Sequence, residues 1–229
     1  VVTTIVNILN YLGYRLIEIA LRFDNISQYP VEEAKRYKKE DPYEMKVISF
    51  SLFEKSQVVD VGGYTGDWAQ RIYGRYSCNI DIYEPHPELS EHCRLNFICN
   101  KKVNVMPCGL GNTTTNAILF GDNVHASVYQ NNLVGNNTVP ILKASDVFNK
   151  KNPHIDLLKL NIEGAEYDVL SDLIQEYDMK KIDHILIQFH RNVPKYDQKR
   201  DEIRASLSKT HLMAWNYDYI FECWDVLPQ

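Results

Sequence analysis

Apolar positions along this chain follow two rhythms. Residues 4–23, TIVNILNYLGYRLIEIALRF, carry apolar side chains at roughly helical spacing, and helical patterning continues through about the first 45 residues, ending near Pro42. Short β-branched runs separated by amphipathic stretches then take over. QVVDVG, NIDIYE, part of VNVMPCGLG, IDLLKLN and HILIQFHR read as strands. GDWAQRIYGRY, PELSEHCRLNFICN, the stretch following Glu163 and YDQKRDEIRASLSKT read as helices, with Trp68 and Ile72, or Leu89, Cys93 and Phe97, on one face. HLMAWNYDYIFECWDV predicts a closing antiparallel hairpin around Asn216 and Asp218. Such alternation predicts an α/β fold: a mostly parallel seven-stranded sheet, helices on both faces, and an antiparallel last strand. Residues 111–140 break the rhythm. They are rich in Asn, Thr and Gly around a short apolar piece, AILF, and predict a hairpin or loop pair over the sheet edge. SDVFNK then predicts a short helix with Ser145 as N-cap. Residues 1–45 are read as a helical segment packing on the core, and 46–229 as one ligand-binding domain.

The segment VVDVGGYTGDW, residues 58 to 68, carries the first chemistry. A β-branched strand runs into a glycine turn and a helix, the layout of a nucleotide-binding βα unit. Asp60, at the strand's end, discriminates between ligands. A dinucleotide would bring its pyrophosphate to this turn, where a carboxylate repels it. S-adenosylmethionine, with a cationic amino group, a sulfonium and no phosphate, is welcomed instead. A second strand ends in Glu84, placed as the acidic residue that accepts hydrogen bonds from both ribose hydroxyls. The full G-x-G-x-x-G pattern is absent, since Tyr64 and Asp67 stand at its second and third glycine positions. A nucleotide-dependent oxidoreductase is therefore disfavoured.

Composition narrows the partners. The chain has 229 residues, 45% hydrophobic and 24% charged, with a formal net charge of −5. No basic block dominates. KRYKKE, residues 35 to 40, is flanked by Glu32, Glu33, Asp41 and Glu44 and reads as a solvated helical face, so no nucleic-acid partner is expected. Asn7, Asn10, Arg15, Glu18 and Arg22 interrupt the first apolar segment, which is not read as a membrane span; core packing is preferred to interfacial membrane contact. Five cysteines without a C-x-x-C pair are expected to be reduced thiols in a cytoplasmic protein.

The motifs together resemble the FkbM-type S-adenosylmethionine-dependent methyltransferases. DVGGYTGDW is similar to the family's D-V-G-A-N-x-G followed by an aromatic, YEPHPE to E-P-x-P, LKLNIEGAEYDVL to K-I-D-V-E-G-A-E-x-x-V-L, and IQFH to I-E-x-H. The resemblance implies the class I methyltransferase (Rossmann-like) fold. It also implies an O-methyltransferase acting on a hydroxyl of a surface-glycan sugar or a polyketide-like natural product, in polysaccharide biosynthesis or a related pathway. The other reading is a catalytically impaired domain that keeps the fold within a larger glycan-assembly protein. Three positions depart from the family: Tyr64 in place of Asn, Asn161 of Asp, and Gln188 of Glu. The last two remove carboxylates that in some class I enzymes hold magnesium. A divalent metal is therefore not favoured and no metal ligand is assigned.

Asp60, Gly62, Gly63, Tyr64 and Gly66 around the first turn, with Glu84, Pro85 and Gly109, form the expected cofactor side. On the reacting side, methyl transfer to a sugar hydroxyl calls for alignment and a general base. His190 and Glu163 are the candidates, with Asn161 at the tip of the fourth strand beside them. An ordinary pKa near ~6.5 would leave His190 neutral and able to take a proton. Glu163 could instead satisfy backbone N–H groups at a helix start, and Glu166 is read as structural. Lys159, on the same side of its strand as Asn161, and His125 and Ser127 in the irregular segment are candidate substrate contacts; a snorkelling lysine and an ordinary loop are the alternatives.

Overall fold

The computed structural model describes residues 30–119, 137–151 and 154–228. The apolar segment 4–23 lies outside these residues. Helix α1 (Val31–Glu40) stops before Pro42, and the Asp41 carboxylate accepts from Met45 N at 2.7 Å and Lys46 N at 2.8 Å to seed a 3₁₀ turn, Lys46–Ile48. Then follow β1 (Gln57–Val61), α2 (Asp67–Tyr76), β2 (Asn79–Tyr83), α3 (Pro87–Asn96), β3 (Val103–Met106), β4 (Gly109–Gly111), β5 (Thr115–Leu119) and β6 (Asn137–Lys143). The remainder is α4 (Ala144–Lys151), β7 (Ile155–Leu160), α5 (Glu166–Glu176), β8 (Ile182–Ile187), α6 (Tyr196–Leu207), β9 (His211–Tyr217) and β10 (Phe221–Val226).

The main sheet has seven strands in the order β3-β2-β1-β7-β8-β10-β9. Only β10 runs against its neighbours. This is the architecture of the class I methyltransferases, with the reversed strand coming last in the chain. The central strands are buried on both sides, which explains their near-continuous apolar runs. Val59, Val61, Leu158, Leu160, Ile185 and Ile187 face one layer, with Phe148 of α4, Leu170 and Leu173 of α5 and Leu207 of α6. Val58, Ile80, Ile82, Leu157 and Leu186 face the other, with Val47, Ile48, and Ala69 and Ile72 of α2. Helix α1 caps the β9 edge, where Tyr37 meets Tyr217 edge-to-face at 5.0 Å.

Three local expectations change. VNVMPCGLG contains two strands in different sheets: Pro107 offers no donor, the Cys108 N–H turns back onto the Met106 carbonyl at 2.8 Å, and β4 leaves for a second sheet of order β4-β6-β5. Helix α4 starts at Ala144, and Ser145 is no N-cap; its N–H and hydroxyl both donate to Asp172, at 2.7 and 3.1 Å. The final hairpin turns at residues 218–220, with Asn216 still within β9.

A buried ionic knot ties α6 to that hairpin. Glu222 of β10 accepts from Arg200 at 2.8 Å and Arg204 at 2.6 Å, and its side chain is 1% exposed. Removing one partner of such a group leaves charge uncompensated in the interior. Arg200→Met should destabilise the fold by about 3 kcal/mol, the low end of the usual cost because Arg204 remains; urea titration of the two proteins measures it.

Candidate active site

The tips of β2, β1 and β7 come together around the first turn. Gly62 donates to the Tyr83 carbonyl at 2.9 Å and has φ +88°; a Cβ there would sit 2.0 Å from the Asn161 carbonyl oxygen. Only glycine fits, because the neighbouring strand tip occupies the space. Tyr64 follows with φ 49°, in the left-handed region, and donates its N–H to Glu84 Oε2 at 2.9 Å. The other Glu84 oxygen accepts from His86 N at 2.9 Å. Burial raises the Glu84 pKa, and these two backbone donors pull against that rise. Glu84 is thus fixed at the end of β2 by the turn it faces.

Beyond the tips opens a cavity of about 680 Å³. Gly62, Gly63, Tyr64, Glu84, Pro85 and Gly109 line one part of it. Lys159, Asn161 and Glu163 line another, and Thr115, Ala117, Leu119 and Ile141 of the second sheet form a wall. The cavity therefore brings together most of the residues singled out in the sequence. Asp60, Gly66 and His190 do not line it. His125 and Ser127 lie outside the described residues.

Asp60 requires a correction. Its carboxylate is completely buried and bonded to Lys159 Nζ at 2.8 Å, so it is not offered to a ligand's amino group. Lys159 also donates to the Gly62 carbonyl at 2.6 Å, which makes it a brace between β7 and the turn, not a free contact for substrate. Burial raises the Asp60 pKa and the lysine opposes that rise. The sequence could place Asp60 at a strand end but could not show that β7, next to it in the sheet, carries its counter-ion in register: Asp60 pairs with Lys159 across the ladder.

His190 requires another. Its ring is completely buried, with Nδ1 2.7 Å from Glu166 Oε1 and Nε2 3.3 Å from Glu163 Oε1. Burial alone would lower its pKa, but the two carboxylates outweigh burial and bring it up to about 10. A protonated imidazole held off the cavity wall is not a general base at neutral pH. Glu163, whose side chain is 18% exposed, is the candidate that reaches the cavity.

Several contributors escaped the sequence reading. Trp68, Arg71 and Asp168 line the cavity, the first two by projecting from α2. Asn192 donates to the Glu163 carbonyl at 2.8 Å. No local pattern marks Asn192; only the packing of the strand-β8 exit on the β7 turn reveals it. Among the described residues one trio has metal-ligand spacing, His154, Asp156 and Asp183. It lies at the opposite end of the sheet, where Asp156 already accepts from Ser56 Oγ and Gln57 N, each at 2.8 Å.

Comparisons with known proteins agree with this geometry. The family profile described as the Methyltransferase FkbM domain matches residues 60–221. No curated protein matches the chain. Among solved structures, a protein from Clostridium thermocellum provisionally assigned as an rRNA-methylase superimposes with a TM-score of 0.51 at 8% identity, covering 88% of this chain and 98% of that one. A Staphylococcus aureus protein provisionally assigned as a caffeoyl-CoA O-methyltransferase gives 0.48 at 9% identity, covering 96% and 98%. The M. capricolum TrmK, in complex with S-adenosyl-homocysteine, gives 0.45 at 10% identity, covering 80% and 65%. At these identities the likeness concerns the fold.

The His190 environment predicts a pH signature. Its folded pKa, about 10, lies above the ordinary 6.5, so the native state binds this proton more tightly. The stability it contributes is full below pH about 6.5, declines above that, and is gone past pH about 10. In urea midpoints measured across this window, the advantage of the wild type over His190→Gln should shrink as pH rises.

Proposed function

The chain belongs to the FkbM methyltransferase family, and from that premise we propose that it is an S-adenosylmethionine-dependent O-methyltransferase acting on a hydroxyl of a neutral, polyhydroxylated acceptor, a sugar of a surface glycan or a natural product. The observation that carries this reading is the pairing of two carboxylates on one cavity: Glu84 at the tip of β2 and Glu163 just beyond the tip of β7.

The residues present fit the cofactor. Glu84 is fixed by two backbone donors, and each of its oxygens retains acceptor capacity for a ribose hydroxyl. Pro85 and Gly109 offer a low wall beside it, suited to a flat base. The charge in the cavity also fits. Glu44, Asp67, Glu84, Glu163 and Asp168 face Arg71 and Lys159, and those two cations are already paired, with Glu44 and Asp60. A site of this sign favours a sulfonium and repels a phosphate backbone. That argues for a neutral acceptor over nucleic acid, as does the net charge of −5.

When bound, the cofactor supplies an activated methyl group. The chain then has two tasks, to align the acceptor hydroxyl and to receive its proton. Glu163 is positioned for the second, accepting the proton on its carboxylate. Asn161, with a neutral amide at the same strand tip, is suited to orient a hydroxyl. The walls from β5 and β6 would enclose the acceptor and exclude water. No divalent ion is assigned: Asn161 carries no charge to hold one, and Gln188 is buried off the cavity. Among the described residues no helix is long and apolar enough to cross a membrane, and the free cysteines support a cytoplasmic location.

Calorimetry should detect binding of S-adenosylhomocysteine to the wild type, and Glu84→Ala should weaken it by about 1.5–3 kcal/mol through loss of charge-assisted ribose bonds. Equal binding by both proteins would remove the ribose assignment. Transfer of labelled methyl from S-adenosylmethionine to neutral methyl glycosides should proceed in excess EDTA. Loss of transfer on chelation, restored by magnesium, would reverse the metal assignment, and transfer to RNA alone would reverse the acceptor class.

A further inference from the structure

Glu163 stands in a backbone conformation that its own chemistry does not favour. Its φ is 53°, in the left-handed region, and Gly164 follows at φ +110°. A non-glycine residue stays there only where its surroundings over-determine it. Here the residue is held from several sides. The Glu166 carboxylate accepts from the N–H groups on either side, Ile162 N at 2.7 Å and Gly164 N at 3.0 Å. Asn192 Nδ2 donates to the Glu163 carbonyl at 2.8 Å. A Cβ on Gly164 would lie 2.6 Å from Asn192 Oδ1, so the two segments are in close contact. His190 bridges the two carboxylates, 2.7 Å from Glu166 and 3.3 Å from Glu163. Tyr167 Oη donates to the His190 carbonyl at 2.8 Å and fixes the histidine backbone in turn.

We infer that Glu166, His190 and Asn192 are positioning residues whose joint task is to hold the Glu163 carboxylate at the cavity wall as the acceptor of the substrate's proton. The inference rests on the methyltransferase reading above. A helix start alone does not need this apparatus. One buried carboxylate capping two N–H groups would suffice, whereas burying a histidine and a second carboxylate beside it is costly unless the charges serve one another. With the imidazole protonated, the cluster carries one positive charge between two negative ones. With it neutral, two carboxylates would repel across a buried ring. The carboxylates that raise the imidazole pKa are Glu166 from the start of α5 and Glu163 from the turn before it. Arg191, next in sequence, stacks instead over Tyr196 and Tyr219, at 5.1 and 5.5 Å, and Arg200 of α6 lies over Phe189 and Tyr219.

The test has an arm that needs no acceptor. In isotope-labelled wild-type protein bound to S-adenosylhomocysteine, the His190 imidazole signals, assigned through bonds, should remain those of imidazolium beyond pH 8. Glu163→Gln should lower that midpoint by about a pH unit or more. A His190 that titrates near its ordinary value, or that does not respond to Glu163→Gln, overturns the inference. The kinetic arm uses the glycoside panel. His190→Gln and Asn192→Ala should lower kcat by about 10-fold or more while binding S-adenosylhomocysteine within about 2-fold of wild type. Glu163→Gln inactive, with His190→Gln and Asn192→Ala both at wild-type turnover, overturns the positioning roles and leaves the base intact. Glu163→Gln at full turnover overturns the base itself, and no transfer by the wild type overturns the acceptor class; in both cases the imidazole titration still decides whether the three charges are coupled.

Discussion

The arrangement depends on one close approach. The Asn161 carbonyl lies 2.0 Å from where a side chain on Gly62 would begin, and the Gly62 N–H is bonded to the Tyr83 carbonyl. Three neighbouring strand tips are thus locked to one backbone unit that cannot bear a Cβ. Once β2, β1 and β7 are fixed in this way, the residue after each outer tip has a set place: Glu84 on one side, the Asn161–Glu163 turn on the other. The cavity is the space these two leave, roofed by the small second sheet. A substitution at Gly62 would therefore act on both halves at once, through backbone displacement and not through any contact with a ligand.

Charge in this site is arranged by pairing across the sheet. Asp60 and Lys159 are register partners on adjacent parallel strands, and their side chains meet at 2.8 Å beneath the cavity lining, which includes Lys159 and not Asp60. Burying such a pair gains little stability, because desolvation consumes most of the attraction. What it provides is a fixed lysine that also holds the Gly62 carbonyl. The Glu163–His190–Glu166 cluster differs: two carboxylates share one cation, so a negative charge remains, and Glu163 is the partly exposed member. Glu163 is partly exposed and lines the cavity, whereas Asp60 is buried and does not.

The elements that follow a strict period were legible in the sequence. QVVDVG, NIDIYE, IDLLKLN and HILIQFHR are strands because β-branched runs buried on both faces leave few alternatives, and the helices between them show their apolar faces at i, i+3 and i+4. The motif positions were legible too, since Glu84, Asn161 and Glu163 all reach the cavity. What was not legible is pairing between distant residues. Asp60 read alone is an exposed anion; with Lys159 a residue's width away it is a buried counter-ion. His190 read alone is a neutral base; between Glu163 and Glu166 it is a cation. Both revisions come from residues 24 to 99 positions apart that the fold brings into contact. The Pro107 break that sends β4 to a second sheet was visible as a proline, but its consequence was tertiary.

That second sheet separates the two halves of the site in a way that bears on specificity. On the proposed function, the cofactor half is the side built from strand tips, whose geometry is set by the backbone packing at Gly62. The opposite wall comes from β5, where Thr115, Ala117 and Leu119 face the cavity while Ile118, between them, is 48% exposed on the outer side. By the two-residue period of a strand, each inward position can change size or polarity without moving the others. Among the described residues β5 pairs with β6 alone and makes no ladder with the main sheet. Through β6 it still touches the strand-tip side, since a Cβ on Gly109 would lie 2.7 Å from Ile141 Cδ1 and 3.5 Å from Pro85 Cγ. On the proposed function, these inward positions of β5 are where acceptor specificity would be set, because they line the cavity from the second sheet while Glu84 and Glu163 stand at the strand ends of the main sheet.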